Sequence, residues 1–128
     1  MDTSAIIAIL RAEPDAAAFA QAIESAVTPK ISAVNFVEAA AVIDGSRNPF
    51  ASRRFDDFLR AAEFTIEPVT EQQARIARDA YRDFGKGSGH RAGLNLGDCF
   101  AYALAKVSGE PLLFKGHDFD HTDITSVL

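Results

Sequence analysis

The chain has no tryptophan, one cysteine and one methionine. A single thiol excludes an intramolecular disulfide and a thiolate zinc site. It suits a reducing setting, so the sequence reads as cytoplasmic. Long apolar runs are missing too: none approaches the about 20 residues that a bilayer crossing needs. No basic leader precedes the first apolar stretch, so nothing reads as a signal peptide. Positive charge is scarce, with 13 Lys and Arg against 18 Asp and Glu and a net charge of −5. That balance argues against a surface that coats nucleic acid non-specifically. It does not exclude an enzyme that handles nucleic acid at one local site.

What is present suits a folded protein. At 128 residues with 48% hydrophobic content, residues 1–128 are expected to form one domain, because two would each have too little interior. No repeat, low-complexity tract or long linker interrupts the chain. Short strands and helices alternate. Met1–Asp2 reads as the tail of a strand, Ser4–Arg11 as an apolar helix, and Asp15–Ala26 as a second helix opened by Pro14. Lys30–Ala33 reads as a strand, and Val34–Asp44 as a helix stopped by Gly45. Asn48-Pro49 opens a helix over Phe50–Glu63. Phe64–Val69 is a strand candidate, and Thr70 with Gln73 is a capping-box signature for a helix to Phe84. Gly85–Gly93 is a glycine-rich loop. Leu96–Val107 is a helix capped by Asn95, followed by strands at Pro111–Phe114 and Ile124–Leu128 around a polar loop. Strands separated by helices predict parallel crossovers: an α/β fold, a three-layer α/β/α domain with a central, mostly parallel sheet.

Most acids, such as Asp56, Asp57, Asp79 and Asp83, sit among polar residues and read as solvated surface. A few lie in apolar or strand-end surroundings. Glu38 falls in FVEAAAVI, a helix apolar on nearly every side and so buried; Asn35, three residues earlier, shares its face. A bare carboxylate there costs several kcal/mol unless paired, protonated or bound to a cation. Asp98 falls in the first turn after Asn95, where capping is the plain alternative. Gly97 beside it would admit close approach of a backbone or ligand. Asp2 ends the first strand and could simply cap the next helix. Asp118 follows the Pro111–Phe114 strand, where a turn role is the alternative.

Parallel sheets bring strand ends and helix starts to one edge, where ligands bind. Asp2, Glu38, Asp98 and Asp118 would all face that edge. Four clustered carboxylates repel, no basic residue in these motifs neutralises them all, and a divalent cation resolves the conflict. Oxygen-only ligands select a hard ion, Mg²⁺ or Mn²⁺, which suits phosphodiester hydrolysis. The loop Gly85–Gly93 carries Lys86, His90 and Arg91, with no acid between Phe84 and Asp98. These three are candidate contacts to a phosphate backbone.

The segments DTSAIIAIL (Asp2–Leu10), SAVNFVEAAAVI (Ser32–Ile43), HRAGLNLGDCFAYALAK (His90–Lys106) and PLLFKGHDFDHTDI (Pro111–Ile124) resemble, in order, PIN-domain toxins of the VapC type. The resemblance implies a Mg²⁺- or Mn²⁺-dependent endoribonuclease with its acidic site at Asp2, Glu38, Asp98 and Asp118. Thr3 and Ser4 match hydroxyl-bearing positions, Ser4 being the better placed to assist. Asn35 matches a small polar position, and Asp123 an accessory acid. It further implies a homodimer, an RNA substrate and inhibition by a VapB-type antitoxin. Two other readings stand beside it. An Asp-nucleophile phosphatase would need a second Asp where Ser4 stands. An inactive partner-binding domain would use these acids only as caps; the apolar, Ala-rich first two helices would supply its interface.

Overall fold

The computed structural model describes residues 1–128. Local capping chemistry sets most helix starts. Asp2 caps α1 (Thr3–Leu10), Ser32 caps α3 (Ala33–Gly45), Asn48 caps α4 (Pro49–Ala61), Thr70 caps α5 (Glu71–Phe84) and Asn95 caps α6 (Leu96–Ser108), each through a side-chain oxygen. The remaining helix, α2 (Ala16–Ser25), follows Asp15, whose side chain makes no capping bond, and Pro14 lies outside it. Gly45 is not the stop residue expected: it is the last residue of α3, and the chain breaks at Ser46, whose Oγ donates to the Ile43 carbonyl at 2.6 Å. The Thr70–Gln73 box is half formed. Gln73 N donates to Thr70 Oγ1 at 3.1 Å, but Gln73 Oε1 is buried without a partner. Gly109 closes α6 in the left-handed region, at φ 65°, where glycine carries no Cβ penalty.

The sheet is smaller than the sequence predicts. Only β1 (Lys30–Ser32) and β2 (Thr65–Glu67) form a ladder; they are parallel, with Ile31 opposite Ile66. The expected strands at Met1–Asp2, Pro111–Phe114 and Ile124–Leu128 contribute isolated bonds instead. Met1 N donates to the Lys30 carbonyl, Asp2 N to the Leu113 carbonyl, and Leu112 pairs with Ser126 in a single parallel bridge. Donors at both ends of the Pro111–Phe114 segment are missing from any ladder. Pro111 has no N–H, and the Lys115 amide bonds to Ser4 Oγ.

These segments nonetheless define a middle layer. Leu112 packs in one cluster with α5 and α6, including Ala77, Tyr102 and Ala103, while its neighbour Leu113 packs with Ala5, Phe19 and Ile23 of α1 and α2. Successive residues of extended chain point to opposite faces, so helices cover both sides and the architecture is α/β/α. A third cluster joins Ile6, Ile31, Ala39, Ile43 and Phe55, so α1 is buried between two clusters. The apolar surface expected on α1 is therefore covered; α2 exposes Ala17, Ala18, Gln21, Glu24 and Ser25. No helix is long and apolar enough to cross a membrane.

Phe55 and Phe119 are the largest fully buried side chains, and Phe55 stacks on Phe36 at 5.9 Å. Phe55→Ala is expected to cost about 3–5 kcal/mol in urea denaturation; a loss under about 1 kcal/mol would contradict this packing.

Candidate metal centre

The starts of α1 and α6 and the second turn of α3 meet at one edge. Asp2, 4% exposed, uses its two carboxylate oxygens differently. Oδ2 accepts from Ser4 N at 3.1 Å and Ser4 Oγ at 2.6 Å, while Oδ1 is buried with no partner. Ser4 Oγ in turn accepts from the Lys115 amide at 2.9 Å. Ser4 thus fixes Asp2 and ties α1 to the segment after Leu113.

Asp98 repeats the pattern from α6. Its Oδ2 accepts from Asn95 N at 3.0 Å, and Asn95 Oδ1 accepts from Asp98 N at 2.8 Å, a complete capping box. The capping roles foreseen as alternatives for Asp2 and Asp98 are real, and each leaves the second oxygen free of them.

Glu38 is held from two sides. Thr3 Oγ1 donates a short hydrogen bond to Glu38 Oε1. Asn35 Nδ2 donates to the same oxygen at 3.3 Å and to the Gly97 carbonyl at 3.0 Å. Asn35 is fully buried, and its Oδ1 has no partner. Thr3 is the site residue that the sequence reading passed over in favour of Ser4. The signal was available: once Asp2 caps α1 through Ser4, the adjacent side chain points about 100° around the helix, towards α3.

Electrostatics join the four acids. Burial, then the negative charges of Asp2, Asp118 and Glu38, push the Asp98 pKa up to about 7, against the lowering effect of the Asn95 backbone bond. Burial also raises Asp2, with Glu38 adding to it and the Ser4 bonds and the Met1 ammonium opposing it. Asp118 is exposed, and its link to the group is the effect of its charge on Asp98. No Lys, Arg or His forms an ion pair with any of the four; Lys115 is engaged by Glu13.

A partnerless buried carboxylate oxygen among acids without ion pairs is the donor chemistry of a hard cation site, so these residues fit one. The fit is open: no three acidic, histidine or cysteine side chains are drawn together closely enough to enclose an ion.

Asp123 stands apart from this group. Its two oxygens accept from Tyr102 Oη and Lys106 Nζ, both at 2.7 Å, and the lysine bond lowers its pKa. Of the loop bases, His90 is engaged inside the loop, with Nδ1 accepting from Ala92 N at 3.0 Å and its ring edge-on to Phe84. Lys86 and Arg91 are exposed and without ion pairs.

A small α/β/α domain with acids gathered at one edge matches a defined class: the PIN domain family matches residues 1–124. The chain belongs to that family. It is 56% identical over 128 residues to VapC ribonuclease Mb0625 of Mycobacterium bovis and to Ribonuclease VapC28 of Mycobacterium tuberculosis, covering all of this chain and 96% of each relative. It is 49% identical over 124 residues to Ribonuclease VapC42 of M. tuberculosis, covering 97% of this chain and 95% of the relative.

Because folding raises the proton affinity of Asp98, its contribution favours the fold below about pH 4 and is lost as pH rises through about 7. Without divalent cations, Asp98→Asn is expected to melt higher than the parent at pH 8 and nearly level with it at pH 4. A gap that does not vary with pH would contradict the coupling of the four acids.

Proposed function

We propose that the chain is a metal-dependent endoribonuclease toxin of a type II toxin–antitoxin pair, with Asp2, Glu38, Asp98 and Asp118 as metal ligands, directly or through water. The observation that carries this reading is the partnerless Asp2 Oδ1, buried among acids with which no Lys, Arg or His forms an ion pair. Membership of the PIN family and the likeness to proteins named VapC ribonucleases support it. The ion is Mg²⁺, with Mn²⁺ as a substitute; when bound it supplies Lewis acidity for activating water and offsets charge on phosphate oxygens.

The chain's own residues prepare the ground for that chemistry. Ser4 and Asn95 hold Asp2 and Asp98 by one oxygen each and leave the other for the ion. Thr3 and Asn35 fix Glu38. Asp118, exposed, completes the set. Lys86 and Arg91, exposed in the loop that leads into α6, offer positive charge to the RNA backbone, whereas His90 shapes the loop. Asp123 braces α6 against the C-terminal segment and acts on the site only through that packing. The protein works in the cytoplasm as a homodimer, restrained by a VapB-type antitoxin.

Cleavage of structured RNA is expected with Mg²⁺, to stop with EDTA, and to be lost in Asp98→Asn. Retained cleavage by that variant would remove the mechanism. Mg²⁺ is expected to raise the melting temperature at pH 8, with about 2.7 kcal/mol of stabilisation at 100 times its dissociation constant. A phospho-Asp2 adduct would point instead to the phosphatase reading. Lys86→Ala with Arg91→Ala should weaken RNA binding and flatten its salt dependence by about 0.7 per lost contact; an unchanged slope would place the RNA elsewhere.

A further inference from the structure

Gly97 lies inside α6, two residues after the Asn95 cap, and is buried. Its backbone is not in the left-handed region, so no strain calls for glycine, and glycine is unfavourable inside a helix. What surrounds the missing side chain supplies the reason. A Cβ at Gly97 would lie 2.6 Å from both Oε1 and Cδ of Glu38, and closer still to Oε2. All three nearest atoms belong to that one carboxylate. At Gly85, by contrast, the nearest atom is a backbone carbonyl oxygen, that of Tyr81. The Asn35 amide nitrogen spans the same junction, bonding both the Gly97 carbonyl and Glu38 Oε1, and Thr3 closes on Glu38 from α1.

We propose that Gly97 is a positioning residue: its bare Cα forms a notch that seats the Glu38 carboxylate against the first turn of α6, with Asn35 as the latch across the junction. The spacing between Glu38 and Asp98 is then set by how closely α3 and α6 approach. This rests on the nuclease reading for its consequence in catalysis, though not for its geometry.

Gly97→Ala in the full chain is the test, with melting temperature, Mg²⁺ calorimetry and RNA cleavage as readouts. A displacement of about 1 Å costs on the order of 100-fold in rate, so a loss of that size is expected, with weakened Mg²⁺ binding. Adding Glu38→Asp, one methylene shorter, should recover part of the Mg²⁺ affinity that Gly97→Ala loses. Parental cleavage and affinity in Gly97→Ala, or a loss that Glu38→Asp does not relieve, would overturn the proposal. Should Gly97→Ala melt lower than the parent, Glu38→Ala in the same chain should remove the deficit. A deficit equal in both backgrounds would show that the added methyl meets something else, and would also overturn it. A parent without Mg²⁺-dependent cleavage would sink the nuclease reading alone, because the melting cycle still decides the notch.

Discussion

Negative charge gathered at one edge with no Lys, Arg or His paired to it is the constraint on which the other features depend. Asp2 and Asp98 are both nearly removed from water, and the charge of Asp2 raises the cost of ionising Asp98. Isolated buried carboxylates are expensive, and here no lysine or arginine offsets them. The fold tolerates the arrangement because two of the acids sit at helix N-termini, where backbone dipoles favour negative charge.

Capping is also what allows the same residues to serve structure and chemistry. A carboxylate has two oxygens. In Asp2 and Asp98 one oxygen satisfies helix donors that would otherwise lack partners, which fixes the side chain's direction. The second oxygen is left over, and in Asp2 it is buried and partnerless. Glu38, one turn into α3, has no helix end to cap, so it is held by side chains instead, Thr3 from α1 and Asn35 from its own helix.

Beneath the acids, the thin sheet and its helices act as a frame. Leu112 and Leu113 anchor opposite layers, and the Lys115 amide passes that anchorage to Ser4 and so to Asp2. Asp118 follows on the same segment. A chain of short contacts thus links the core to the acids from α1 and the C-terminal region, while α3 and α6 meet directly at Gly97.

Much of this was legible in the residues themselves. Apolar periodicity and capping signals placed all six helices, because helix starts and faces are local properties. The acids stood out because their neighbours are apolar, and the order of four motifs pointed to the family. Other features depended on tertiary contacts. Which segments became strands turned on donor counts across neighbouring chains, so Pro111–Phe114 and Ile124–Leu128 pair only once. Asp123 was drawn away by Tyr102 and Lys106, and His90 by its own loop. The choice of Thr3 for Glu38 and the occupant of the space over Gly97 were decided only when α1, α3 and α6 came together, since contacts between residues far apart in sequence leave no local pattern to read.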